Sequence, residues 1–371
     1  MFRRLIVGLA AAAVAVTATV ASAGPGPGYF ASDNVEFVTH VPLNNDSAGA
    51  RLVGDHFYIT SSRGLLIYDV SDPVNPKQLS FLPLFQTPYF AEEDPDTNGS
   101  ILLVGGLDRY LHVIDVEDKT NPQVIGKLLG ADSHTTTCVL NCRWAYNSGG
   151  DIIDLRDPTE PKIAGSWSRG SPAGSAHDVT EVAPGIVMTS SSPMLLLDAR
   201  KDPAKPKLIA SVRDLEPRYI HGNHWPRAMK DDFLLVQGET TSGASTCGDE
   251  EDGSFMTFDA TKWRKTRSFR MIDEMRLGTG LPTDGKMPLG TFCAHWFEVH
   301  PSFRNGGLVA MAWYENGSHF LRVSNKGKIS HDGYFLPAAG STSAIYWVTD
   351  EIAYTVDYNR GIDILRYTGK P

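Results

Sequence analysis

Positive charge is scarce in this chain: 34 Lys and Arg stand against 43 Asp and Glu, and no basic cluster breaks the balance. Phosphate contacts need clustered Lys and Arg, so nucleic-acid binding is excluded as a function class. Long apolar runs are also missing after the first two dozen residues, which leaves no other segment able to span a bilayer. No convincing amphipathic helix occurs. Neither a Ser-His-Asp order, a phosphate-binding Gly loop nor paired carboxylates stand out, so hydrolysis by a catalytic triad is not supported.

What the chain has instead is turn chemistry, with 35 Gly and 23 Pro among 371 residues and 42% hydrophobic content. That composition suits a large globular protein. The start, "MFRRLIVGLAAAAVAVTATVASA", carries Arg3 and Arg4, an apolar stretch from Leu5 to about Val20, and Ala21-Ser22-Ala23. This is the pattern of a secretory signal peptide over residues 1–23, with a membrane anchor as the alternative. The Arg pair only loosely resembles a twin-arginine signal, so the export route stays open. Cleavage would leave residues 24–371 with no membrane span and a formal charge of −11 instead of −9.

The four cysteines fit an oxidising compartment. Cys138 and Cys142 are close enough to clip one local loop, and Cys247 could then pair with Cys293, although three connectivities are open. The sharper alternative makes Cys293 a thiolate ligand or nucleophile beside His295.

A repeat organises the rest. "GLLIYDVSDPVNPKQLSFL", "RYLHVIDVEDKTNPQVIGKL", "GGDIIDLRDPTEPKIAGSW" and "SPMLLLDARKDPAKPKLIASV" share a short apolar strand, an Asp and a Pro-bearing turn. Weaker copies occupy "GSFMTFDATKWRKTRSFRMI", "SHFLRVSNKGKISHDGYF" and "RGIDILRYTGKP". Each copy follows another strand-like segment with a small-residue turn, such as "DHFYITSSRG" or "GIVMTSSSP". Four short strands per unit and seven units predict an all-β fold, a seven-bladed β-propeller over residues 24–371. The last unit lacks an outer strand, and "VEFVTHVPL", Val35 to Leu43, is a spare one whose pairing there would close the ring. A six-bladed ring with one degenerate repeat is the structural alternative.

The units "LLIYDVSDPVNP" and "LHVIDVEDKTNP" resemble the LVIVD-repeat proteins, secreted or surface β-propellers, over nearly the whole mature chain. That resemblance implies architecture more than activity, because propellers host unrelated functions.

With the repeat as a ruler, the histidines fall into register. Counting back from the Asp that ends each third strand, His134 lies 20 before Asp154, His177 lies 21 before Asp198, and His224 lies 35 before Asp259. The excess in the last case falls in "GETTSGASTCGDEEDGS". His295 lies 27 before Arg322, which takes the Asp position. The strings "DSHTTT", "SAHDVTEV", "GNHWPRA" and "CAHWFEV" each put a His at the start of an innermost strand. Innermost strands line the axial channel, so His134, His177, His224 and His295 are expected to converge at its mouth as ligands for a transition metal. Copper, iron and zinc all accept imidazole, and the affinity order favours copper. The matching positions in blades one, two and seven fall near Ala48, Phe90 and Ser343, which would leave one side without ligands.

Neighbouring residues carry smaller expectations. His221 could be a mouth residue or hydrogen-bond partner of a ligand, and Glu181 could orient an imidazole. Trp225 and Trp296 could wall an apolar pocket, with interblade packing as the simpler reading. His300 and Glu298 lie an odd number of residues from His295 and should face away from it. "DPDTNGSI", from Asp94, has the start of a calcium loop, but its twelfth position is Gly105, so an Asn-Gly hairpin is the alternative.

Two functions follow. One is a secreted metalloprotein, possible oxidoreductase chemistry on a small-molecule substrate being implied by architectural resemblance to selenium-binding proteins with methanethiol oxidase activity and to four-His carotenoid oxygenases. The other is a non-catalytic extracellular scaffold, a monomer that binds a protein or other ligand through variable loops on a rigid ring.

Overall fold

The computed structural model describes residues 28–43, 47–84, 92–106, 108–213, 215, 218–230, 233–240, 253–277 and 293–370. The expected signal segment, Phe90, Cys247 and most of the long loop after Gly238 lie outside the described residues.

Seven antiparallel sheets follow one another along the chain, five of them built wholly from consecutive strands. Their first strands are Ser47–Val53, Asp96–Thr97, Thr136–Val139, Asp178–Ala183, Tyr219–His224, Phe297–Val299 and Thr342–Trp347. These are the innermost strands. Pro95 and Thr136 form a parallel bridge between blades two and three, and Thr135 Oγ1 donates to the His177 carbonyl at 2.8 Å between blades three and four. The architecture is thus the expected all-β, seven-bladed propeller. The helix Trp263–Thr266 is a single turn, and none among the described residues is long and apolar enough to cross a membrane.

The repeated Asp has a local cause. Asp69, Asp115, Asp154, Asp198 and Asp259 each accept a hydrogen bond through Oδ1 from the backbone N–H two residues later, at 2.8 to 3.2 Å. A second Asp in the same loop does likewise: Asp72, Asp118, Asp157 and Asp202 take the N–H of Val74, Thr120, Thr159 and Ala204. Two successive Asx turns therefore reverse the chain between the third and fourth strands. The Pro that follows fixes φ as the outer strand begins.

Burial is organised between blades. Among the described residues seven apolar clusters form, each drawn mainly from two adjacent sheets. Leu65 and Ile67 of the first blade pack on Leu102, Val104 and Ile114 of the second, for example, and Phe57 and Ile59 pack on Tyr346 and Tyr354 of the last. Strands covered on both faces explain why the middle strands read as unbroken apolar runs.

The ring closes as the spare strand suggests. Val35–Pro42 pairs with Gly361–Tyr367, so the N-terminal segment is the outer strand of blade seven. A further strand, Tyr29–Ala31, adds to the edge of blade six. Cys138 and Cys142 form a disulfide across the turn between the first two strands of blade three. Leu140, Asn141 and Cys142 in that turn all have left-handed backbones, a conformation that side chains disfavour and the covalent link holds. Cys293 is buried.

Candidate metal centre

In each blade the first strand starts, and the antiparallel second strand ends, at the same face of the ring. Residues just before first strands therefore meet residues of the hairpins between second and third strands. His134, His177 and His295 lie one or two positions before their strands, and Glu93 lies three before Asp96–Thr97. His221 sits within Tyr219–His224 at a bulge between Ile220 and Gly222. From the hairpin side come Glu239, at the end of Phe233–Thr240, then Tyr314 after Gly307–Ala312 and Tyr358 after Ile352–Asp357.

These groups converge on one atom. Glu93 Oε2 lies 3.1 Å from His134 Nε2, 3.4 Å from His295 Nε2, 3.6 Å from His221 Nε2 and 3.7 Å from His177 Nε2. The imidazole rings of His177 and His221 stack at 3.6 Å between centroids, and His221 lies 4.1 Å from His295. Glu93 Oε1 accepts from the Tyr358 hydroxyl at 2.7 Å, and Glu239 Oε1 accepts from Tyr314 at 3.0 Å. His295 Nδ1 is 2.5 Å from the Ser343 carbonyl; Nδ1 must carry a proton, which makes Nε2 the nitrogen that faces the cluster. The His134 side chain is 40% exposed and the other three imidazoles are at most 5% exposed, so solvent reaches the cluster on the His134 side.

The Glu93 segment is held by blades one and two. Thr60 Oγ1 donates to the Glu92 carbonyl at 2.5 Å, and Glu92 Oε2 accepts from the Gly105 N–H at 2.6 Å. Gly49 packs against this backbone so closely that a Cβ there would collide with the Glu93 carbonyl oxygen. Glycine is required at that position by space alone.

Burial works against charge throughout the cluster. At Glu93 burial is overcome by His134 and His295, which hold its carboxyl well below the usual range. At His134 and His295 burial is in turn overcome by Glu93, and both are raised. Burial prevails at the other two, reinforced by neighbouring imidazoles: His177 lies well below its ordinary value, and His221 is pushed down to about 3. His177 and His221 are therefore neutral near pH 7, the form that coordinates metal. Glu239 is raised, chiefly by burial.

The donor set suits a transition ion. Three sets of side chains, Glu93 with His134 and His177, Glu93 with His221 and His295, and His177 with His221 and Glu239, each have ligand atoms mutually within 4.8 Å. His177 Nδ1 and both nitrogens of His221 are buried without a hydrogen-bond partner. Buried nitrogen of that kind is costly unless something binds it.

The structure brings His134, His177 and His295 together, as the register suggests, but their fourth partner is His221. His224 does not join them. It lines a separate axial cavity of about 80 Å³ with Arg51, Asp94, Asp178, Asn223 and Glu298, and burial pushes its pKa down to about 4. The cause is register: three residues along a strand reverse the side chain's face, and the bulge at His221 turns that residue toward the cluster. The matching strings "NHW" and "AHW" align the wrong histidine.

The smaller expectations divide. Trp296 lies on the cluster, its ring 4.7 Å from His221. Trp225 packs instead on Trp263 and Phe269 in the interblade core. Glu181 is away from the imidazoles, and its Oε1 accepts from the N–H groups of Leu140 and Gly185 at 2.8 and 2.7 Å, which ties two turns together. His300 bonds Ser302 and the Asp350 carbonyl. At the calcium-like stretch, Asp96 is 2.9 Å from Arg51 and its Oδ2 accepts from the Cys138 N–H, while Asn98 Oδ1 caps a tight turn through Ser100 and Ile101. The hairpin reading fits, because a guanidinium occupies the place a cation would take.

Glu93, Glu239, Tyr314 and Tyr358 escape sequence reasoning. Glu93 alone had a signal: "AEEDPD" falls three residues from the repeat position at Phe90, in a blade with no histidine to offer there.

Residues 48–80, spanning blade one from its first strand into its fourth, match the family model of the LVIVD repeat. No curated protein matches the chain. The chain is thus a seven-bladed β-propeller that carries a match to the LVIVD repeat at residues 48–80, and its axial channel holds a buried histidine and glutamate cluster that could bind a metal ion.

Proposed function

We propose that this protein is an exported metalloprotein that holds a transition metal at the cluster and presents it to a small-molecule substrate from the His134 side. The observation that carries the reading is the single oxygen, Glu93 Oε2, within 3.7 Å of four imidazole Nε2 atoms. His177, His221, His295 and His134 would supply nitrogen and Glu93 oxygen, a mixture that suits copper, iron or zinc, with copper favoured by the general affinity order. Such an ion supplies Lewis acidity or one-electron chemistry when bound. The chain's own contribution is to orient His295 through Ser343, to orient Glu93 through Tyr358, and to exclude water from every side but one. Export is supported by the basic and apolar start with its Ala-Ser-Ala motif and by the Cys138–Cys142 disulfide.

A second reading has its own observation. Without metal, Glu93 is a countercharge to protonated His134 and His295, which would make a self-consistent polar pocket for a scaffold protein. Metal analysis of the full chain purified from its export route separates the two. The metalloprotein reading expects stoichiometric transition metal that falls when His177, His221 or His295 is replaced by Ala. Metal-free protein that also fails to take up copper, iron or zinc would favour the scaffold.

A further inference from the structure

We infer that the cluster is built for two metal ions bridged by Glu93, an inference that rests on reading the cluster as a metal centre. The three donor sets overlap but do not merge, because no four carboxylate, imidazole or thiol ligands among the described residues lie mutually within 4.8 Å. His134 and His295 never share a set. A metal sits about 2.0 to 2.1 Å from an imidazole nitrogen, so two nitrogens on one ion are at most about 4.2 Å apart. One ion therefore cannot collect all four imidazoles from the positions they hold.

Two ions can. Glu93 with His134 and His177 makes one three-ligand site, and Glu93 with His221 and His295 makes the other. Both use Glu93 Oε2, the atom that faces all four nitrogens, while Oε1 is engaged by Tyr358. A shared carboxylate oxygen suits the metal separation of about 3.5 to 4 Å found in two-metal sites. The third set adds Glu239 to His177 and His221, one imidazole from each site, and so places a second carboxylate where it touches both halves.

The test uses the full chain, stripped with a chelator and reloaded with Zn²⁺ or Cu²⁺. Two ions per chain are expected by elemental analysis after gel filtration, and His134→Ala and His295→Ala are each expected to reduce two to one. In the copper form, spins sharing one oxygen couple, so the resonance signal should account for less than half of the copper present. One ion per chain would overturn the dinuclear inference and leave the metal centre standing. No bound ion would overturn both. Two ions with the full, uncoupled copper signal would place the second ion away from Glu93 and overturn the bridge.

Discussion

Tyr358 donates its hydroxyl proton to Glu93 Oε1 at 2.7 Å, joining the last blade to the second across the ring axis. The bond fixes which carboxylate oxygen faces the imidazoles. Partners that orient a metal ligand typically contribute about 10- to 100-fold in metal affinity. Tyr358→Phe is therefore expected to weaken metal binding about 10- to 100-fold while the circular dichroism and melting temperature of the metal-free protein stay close to wild type. Chelator competition measures the loss, and unchanged affinity would remove Tyr358 from the site.

The two histidines of strand Tyr219–His224 make an internal control. His221 has both ring nitrogens unpartnered in the cluster, whereas His224 faces the cavity around Arg51. His221→Ala should lower metal content by one ion or more per chain, and His224→Ala should leave it unchanged. The opposite pattern, read by elemental analysis of the two variants side by side, would assign the metal to the cavity around His224 and Arg51 instead.

Metal affinity should fall as pH falls. His134 and His295 have raised pKa values in the metal-free cluster because Glu93 overcomes their burial, so each binds its proton more firmly than a free imidazole. Metal must displace those protons. Below the raised values the affinity should drop by about two decades per pH unit, one for each proton, and above them it should level off. Calorimetry in buffers of different ionisation heat counts the protons released; zero release at pH 6 would contradict the ligand assignment.

Glu298 gives a stability prediction with a definite sign. Burial raises its pKa to about 7, against an ordinary 4.5. An acid that holds its proton more tightly when folded stabilises the fold below about pH 4.5, and that contribution is lost as pH rises through about 7. Allowing for its partial exposure, the loss is on the order of 1–3 kcal/mol. Glu298→Gln keeps the neutral form and should flatten the decline between pH 5 and 8 in denaturant unfolding, leaving the variant more stable than wild type at pH 8. A decline identical in both proteins would show that Arg51 already neutralises the carboxylate.

Blade number and ring closure are legible in the sequence because they depend on local chemistry. An Asp that caps its own turn must sit at the end of the third strand, and a strand without a partner at one terminus must meet the unit that lacks one. His134, His177 and His295 are legible for the same reason, since each lies immediately before a strand whose start the repeat locates. His221 is not, because a bulge is a one-residue event that a ruler of some twenty to thirty-five residues cannot resolve. Glu93 and Tyr358 are hidden for a different reason: they lie 265 positions apart, and only the curvature of the whole ring brings them together.

That curvature also makes the cluster depend on the whole ring. Its groups come from every blade but the first, and the first holds Glu93 in place through Thr60 and Gly49. Glu93 emerges early from the ribosome and lacks its orienting hydroxyl until Tyr358 follows, when Val35–Pro42 can also latch onto Gly361–Tyr367. No partial ring offers the full set of ligands. A metal ion that bound only the finished ring would stabilise it by mass action, so loading would favour closed molecules over stalled or truncated ones.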